Sequence, residues 1–463
     1  MSDSNPSSSS TSREVQRLLD QAKRHYQSGD LVAAAGVCRQ VIAADPSCAE
    51  ALHLLGLLAF RDGRHSEAED MLRVAISFNS GAPYYYCNLA QVVAATGRYD
   101  DALRCCRRSI ELKSDEPELH FTAGKVFRAA GRLDEAIAAF DRAIAIRPDY
   151  PQAHAHLGMT LLLSGKFDRG WREFEWRLQR PQMHQFTRDF RQPRWNGEDL
   201  RGKRILLYSE QALSDVLHFS RYVPLIADRG GRVIVQCQPQ LTRLLQGLRG
   251  VEQVVSTDQT PPEFDLHCPL LSLPMAFNTT LDALPAETPY LAADPQDVDA
   301  WRRRIEGMHL PSNGLKIGLV WAGRSVQQIN RRRLLTLNTL APILQAPWMH
   351  YFSLQKGPAA HDLRTSPLGN MVHDMSDSLN DFADTAALIQ NLDLVISVDS
   401  AVAHLAGALD KPVWVLLPYV PDWRWMLERN DSPWYPSMEI FRQADPVDWK
   451  TPMMEIAHNL KRP

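Results

Sequence analysis

Glycine recurs at positions 29, 63, 97, 131 and 165, one every 34 residues, and alanine follows five positions later at 34, 68, 102 and 136. Between the glycines the apolar residues keep helical spacing, as in Ala51, Leu54, Leu55 and Leu58, and again in Ala136, Ala139, Phe140 and Ala143. Each unit is therefore a helical hairpin. Glycine relaxes the tight turn inside the pair, the small alanine lets the two helices approach, and Pro46 and Pro148 punctuate the turn to the next pair. Such hairpins bury their apolar faces only against neighbours, so several are needed, and this chain offers about five. At the fifth unit Gly170 replaces the alanine, and the run to Arg177 brings in Trp171, Phe174 and Trp176. A terminal repeat turns one face to something other than another repeat, so this aromatic face is expected to dock onto the next domain.

The repeat resembles a tetratricopeptide array, an α-solenoid placed here at residues 14–182. The polar, serine-rich stretch 1–13 ahead of it is expected to be a disordered tail. In a chain of 463 residues this leaves room for two more domains of ordinary size. A net charge of −3 argues against a broad nucleic-acid surface, although Arg302-Arg303-Arg304 and Arg331-Arg332-Arg333 are local basic runs suited to one anionic ligand. The seven cysteines form no CxxC pair and sit mostly at helical positions among small residues, which reads as reduced core thiols and a cytoplasmic protein without structural metal. No apolar stretch approaches the roughly 20 residues needed to span a bilayer, and no secretion signal is visible.

After a linker at 183–200 the rhythm changes to strand, loop, helix. Arg204 to Tyr208 is a short apolar run, a polar loop follows, and Val216 to Ala227 has helical spacing. Further runs at 233–235 and 251–255 complete a first set, and a second begins at 315–321 and continues through 351–354, 394–398 and 412–417. The economical reading is two Rossmann-like lobes, 201–305 and 306–463, the latter ending in a helix. Continuous apolar runs suit strands covered on both faces, and ligands then sit beyond their carboxyl ends. One such end is Asp399-Ser400-Ala401-Val402-Ala403-His404. Ser400 is placed to cap the following helix, whose free amides suit a phosphate, and His404 is one turn in, able to add a donor. Spacing alone favours the other description of the same residues, a capped helix with a satisfied buried histidine, because serine- and threonine-capped helices after strands are common. Asp215, likewise, is by position an acid at a helix start, favourably placed in the dipole.

The runs RILLYSEQALSD, FDLHCPLLSLPMAF, IGLVWAG, SLQKG, DFADTAALI and VISVDSAVAHLAGALDKPVWVLLP, followed by PDWRWMLERNDSPWYP, resemble the glycosyltransferase domain of the ADP-heptose heptosyltransferase group, family 9. That resemblance spans about residues 191–443 and implies the GT-B fold, an α/β pair of Rossmann-like lobes following the helical array. It also implies an inverting transfer from a nucleotide-sugar, without a metal or other cofactor. Asp215 matches the proposed general base of the family; Asp399, Ser400 and His404 match the loop that holds the donor's diphosphate and sugar. Arg331 and Arg333 fall where the family carries arginines, and they, with Lys356, are candidate donor contacts; read without the family, they are solvated basic side chains. The chain departs from the family at 324–334, where a histidine, an acid and a serine are missing, and in the first loop, where Ala212 and Ser214 replace glycines. Bacterial proteins of this architecture include flagellin glycosyltransferases, so a protein or peptide acceptor such as flagellin is expected on the array. Two other readings stand beside this one: a non-catalytic adaptor with a degenerate transferase module, and a lipopolysaccharide heptosyltransferase proper, which needs no array.

Overall fold

The computed structural model describes residues 6–183, 188, 190–210, 212–311, 314–323, 335–345 and 348–460, with side chains from Arg13 onward. The repeats form helices α1 (Pro6–Ser28), α2 (Leu31–Ala44), α3 (Ala49–Arg61), α4 (His65–Phe78), α5 (Pro83–Ala95), α6 (Tyr99–Leu112), α7 (Pro117–Ala129), α8 (Leu133–Ile146), α9 (Pro151–Leu163) and α10 (Phe167–Phe174). The five turn glycines have φ of 84°, 77°, 85°, 76° and 78°, a left-handed conformation that only glycine adopts without strain. Ala34, Ala68, Ala102 and Ala136 are fully buried, because a larger side chain there would hold the paired helices apart. Of the tail expected at 1–13, residues 1–5 lie outside the described residues and the rest forms the first turns of α1. Proline suits that start, since its missing N–H falls where no helical partner exists.

Two compact units result, one running through Leu157 and the other taking the described residues from Gly158 on. The second unit therefore begins inside α9 and includes α10. Its two sheets are entirely parallel. The first contains β1 (Arg204–Tyr208), β2 (Arg232–Cys237), β3 (Val251–Ser256) and β4 (Leu266–Pro269) in the order β3-β2-β1-β4. The second contains β5 (Lys316–Val320), β6 (His350–Ser353), β7 (Val372–Asp374), β8 (Leu394–Val398), β9 (Val413–Leu417) and β10 (Met438–Arg442) in the order β10-β9-β8-β5-β6-β7. Around them lie α11 (Leu213–Phe219), α12 (Val223–Asp228), α13 (Thr242–Gln246), α14 (Leu273–Ala276), α15 (Pro295–Glu306), α16 (Ala341–Leu344), α17 (Asp362–Thr365), α18 (Phe382–Gln390), α19 (Ala401–Ala408) and α20 (Lys450–Asn459).

The aromatic end of the array does dock on the lobes. Trp171 Nε1 donates to the Thr279 carbonyl at 2.8 Å, and the Trp171 ring meets Trp423 edge-on at 5.2 Å. The stretch expected as a linker packs closely. Trp195 is buried, its amide donates to the His267 carbonyl at 2.9 Å, and Arg194 pairs with Glu175, so residues 194–195 extend the exposed side of β4. Helix α15, grouped with the first lobe by sequence, packs on α18 beside the second sheet, and Asn391 donates to the Val298 carbonyl at 3.0 Å. Spacing along the chain sets where a helix lies in sequence but not which sheet it covers.

Candidate active site

In each sheet the strand order reverses beside the first strand, between β1 and β4 and between β5 and β8. In parallel α/β sheets the crevice at that point, beyond the carboxyl ends, is where a ligand sits. At β1 the chain leaves through Ser209 and Glu210 into α11, which carries Asp215 in its first turn. At β8 it leaves through Asp399 and Ser400 into α19, and at β5 through Trp321, Ala322 and Gly323. A side chain on Gly323 would start 3.1 Å from the Asp399 carbonyl oxygen, so the β5 and β8 loops touch. Gln355 ties down the β5 end by accepting from the Trp321 and Ala322 amides at 3.1 and 2.9 Å and donating to the Ala322 carbonyl at 3.0 Å.

Arg424 joins the two crevices. Its Nη2 lies 2.6 Å from Asp215 Oδ1 in the first lobe, and its Nη1 lies 2.8 Å from Asp422 Oδ1 in the second. Phe219 and Trp423 flank the guanidinium at 5.4 and 4.4 Å. Burial raises the Asp215 carboxyl above its ordinary value; Arg424 opposes that and Asp422 adds to it. Asp399 is pushed well up by burial and by Asp422, against a hydrogen bond from Trp425 and the charge of Arg424. Burial disfavours the Arg424 charge, yet Asp422, Asp215 and Asp399 outweigh it and hold the guanidinium ionised. One cation thus serves three acids.

The expected donor residues divide. Ser400 caps α19, accepting from the Ala403 amide at 3.3 Å and meeting Ser397 Oγ at 2.8 Å. His404 is buried between the core and the loop, its Nδ1 edge on Tyr435 and its Nε2 3.9 Å from Asp399 Oδ1. It is 1% exposed, its Nδ1 meets the Tyr435 hydroxyl at 2.9 Å, its ring stacks on Trp425, and burial drives its pKa well below the ordinary histidine value. The Nδ1 contact is that of a core histidine, while Nε2 is the nitrogen that faces the loop carrying Asp399. Lys356 Nζ donates to the Ser376 carbonyl at 2.6 Å, on the rim of a cavity of about 280 Å³ with His361 and Arg364. Arg331 and Arg333 lie outside the described residues.

Arg424, Asp422, Tyr435 and His218 are not marked by sequence as site residues, although Asp422-Trp423-Arg424-Trp425 stands out as a packed loop at the cleft. His218 on α11 meets the same Tyr435 hydroxyl at 3.0 Å, across from His404. Beneath Asp215, Arg177 reaches in from the short helix after α10. It clasps Glu210 through Nε–Oε1 at 3.2 Å and Nη2–Oε2 at 3.0 Å, and bonds Glu175 at 2.6 Å and Ser272 at 2.7 Å. Among the described residues no cluster of three or more His, Cys, Asp or Glu is arranged to hold a metal ion.

Known protein families match parts of both the repeats and the second sheet. Models of tetratricopeptide repeats match residues 19–83, 84–113 and 124–165, and the model of glycosyltransferase family 9 (heptosyltransferase) matches residues 379–446, from the start of α18 past the end of β10. Protein FlbA of Caulobacter vibrioides is 26% identical over 316 residues, which are 63% of this chain and 52% of that one. The chain thus spans about half the length of that curated relative. Among solved structures the chain is similar to TTC0263, a thermophilic TPR protein of Thermus thermophilus, at 20% identity over 37% of this chain and 93% of that one, with a TM-score of 0.34. It is also similar to MamA, at 22% identity over 36% and 90% of the two chains, with a TM-score of 0.31.

Proposed function

Starting from a chain of tetratricopeptide repeats followed by a glycosyltransferase family 9 segment, we propose that the second unit is an inverting glycosyltransferase that moves a sugar from a nucleotide-sugar to an acceptor bound by the repeats. Asp215 is the general base. An acceptor hydroxyl loses its proton to this carboxylate as its oxygen attacks the anomeric carbon; the bond to the diphosphate breaks on the opposite face, so configuration inverts. The leaving diphosphate gathers charge at the start of α19, where the amides of Ala401 and Val402 and the guanidinium of Arg424 meet it without a metal. The observation that carries this reading is the placement of an inward-facing acid after β1 and a serine-capped helix start after β8, each at the point where its own strand order reverses.

The acceptor is a protein or peptide, with flagellin the first to test, and the reaction is placed in the cytoplasm. No described helix is long and apolar enough to cross a membrane. A thermal-shift panel of ADP, GDP, UDP, CMP and their sugars selects the donor, because a ligand of the native state raises its melting temperature. In the transfer assay that follows, Asp215→Asn loses about 10²–10⁴-fold of the rate with the fold intact. Transfer at the parent rate in that variant rules out Asp215 as base. A second reading, an adaptor that binds without turnover, draws on the segment at 324–334, which lacks the family's histidine, acid and serine. Stabilisation by a nucleotide with no transfer to any acceptor selects it.

A further inference from the structure

Asp215 as it stands is a hindered base. One of its oxygens lies 2.6 Å from a guanidinium that is 7% exposed, and this pairing occupies the oxygen and opposes the rise in proton affinity that burial gives the carboxyl. The site is also ill suited to an anion as it stands, since Asp399 and Asp422, each about one-third exposed, crowd the one cation that the described residues place between the two crevices. These two difficulties have one solution. We propose that Arg424 is a positioning residue that passes from Asp215 to the diphosphate of the donor, so that donor binding releases the carboxylate to act as base.

This inference rests on the proposed transferase reading and adds the order of events to it. A diphosphate carries more charge than a carboxylate and offers several oxygens to the planar fork of an arginine, so it competes favourably for the guanidinium. Arg424 can turn without losing its footing, because Asp422 holds Nη1 and also accepts from the Arg424 amide at 3.1 Å. Its Nε is buried with no partner, a donor left unused in the present arrangement. Asp215, once released, faces Asp422 and Asp399 from the second lobe and Glu210 from its own loop, with Arg177 behind Glu210 as the remaining cation. Three acids against one distant cation raise its affinity for a proton above that of the paired state, which strengthens it as a base.

The test uses the full chain and inorganic pyrophosphate, with ADP and UDP beside it, in titration calorimetry at pH 7 in two buffers of different ionisation enthalpy. The parent protein is expected to take up a proton fraction on binding. Asp215→Asn abolishes that uptake and binds pyrophosphate several-fold more tightly, because the competing carboxylate is gone. Arg424→Gln weakens binding roughly tenfold or more, and Arg424→Lys, which keeps the charge but not the fork, falls between. A melting curve of each variant confirms that it is folded. Unchanged affinity in Arg424→Gln, or equal proton uptake in the parent and Asp215→Asn, overturns the exchange while leaving the transferase reading intact. The expected uptake with no sugar transfer leaves the exchange standing and removes the transferase reading. Absence of binding by all three probes at millimolar concentration overturns both.

Discussion

Replacing Arg177 by Met tests how the loop carrying Asp215 is held. Arg177 and Glu210 have side chains 4% and 1% exposed, so their ion pair is screened by almost no water. Deleting the guanidinium strands the Glu210 carboxylate in the interior and leaves Ser272 without its donor, and breaking a buried pair from one side costs about 3–5 kcal/mol. At about 2 °C per kcal/mol for a unit of this size, the second unit should melt about 6–10 °C lower. The deficit depends on pH in a definite direction. Burial already raises Glu210 above the ordinary value, with Arg177 opposing, so without Arg177 it rises further. A folded-state carboxyl raised above its unfolded value binds a proton where the unfolded chain does not, so the variant recovers stability as pH falls through that raised value toward the unfolded value near 4.3. Denaturant unfolding followed by tryptophan fluorescence at pH 7.5 and 5.5 measures both effects. Arg177→Met/Glu210→Gln, which removes both charges, should recover most of the loss. A loss below about 1 kcal/mol in the single variant, or a double variant no better than the single one, would refute this account.

Gly63→Ala should cost the first unit about 1–2 kcal/mol by denaturant unfolding, and purely through backbone strain, since φ is 77° and no atom lies within 4 Å of the new carbon. His218 is buried and held neutral, its folded pKa well below the unfolded value near 6.5, so its contribution is present above that value and lost as pH falls below it; His218→Gln should flatten the fall in stability from pH 6.5 to 5, by at most about 1.4 kcal/mol per pH unit. Arg243 on α13 bonds Asp297 at 2.7 Å, Asp381 at 2.7 Å and also Asp384, but it is 43% exposed, so Arg243→Gln should cost no more than about 1 kcal/mol, a difference that shrinks in high salt.

The repeats are legible because their information is local. A glycine, an alanine and an apolar stripe recur at fixed offsets, and each hairpin is built from residues near in sequence. Strands β1, β5, β8 and β9 are legible for a related reason: parallel strands covered on both faces must be continuous apolar runs. Three other strands carry no such signal. Leu266–Pro269 contains a histidine and a proline, Val372–Asp374 is three residues long, and Met438–Arg442 is broken by Glu439 and ends on an arginine; each is a strand because of its neighbour in the sheet. Tertiary contact likewise decides the site. Asp215 meets Arg424 across 209 positions of sequence, and Arg177 meets Glu210 across 33, distances at which no motif spacing operates. His404 shows the same limit from the other side. Its position one turn into a helix suits an anion as well as a core histidine, and the partner of its Nδ1, Tyr435, lies 31 residues later where no local spacing points to it.

Tyr435 has a consequence that reaches between the lobes. Its hydroxyl carries one proton and meets Nδ1 of His218 on α11, Nδ1 of His404 on α19 and, at 3.4 Å, the Tyr290 hydroxyl, so it can donate to at most one of the two rings. Whenever its proton goes to one of the rings, the two imidazoles are opposite tautomers. If His218 holds its proton on Nδ1, its buried, unpartnered Nε2 is a bare acceptor, and His404 carries its proton on Nε2, 3.9 Å from Asp399 Oδ1. The reverse arrangement buries an orphaned N–H on His218 and turns a lone pair toward Asp399. An ionised Asp399 thus selects the first tautomer pair, and its charge at the mouth of one lobe is written into the proton position of a histidine three residues beyond Asp215 in the other.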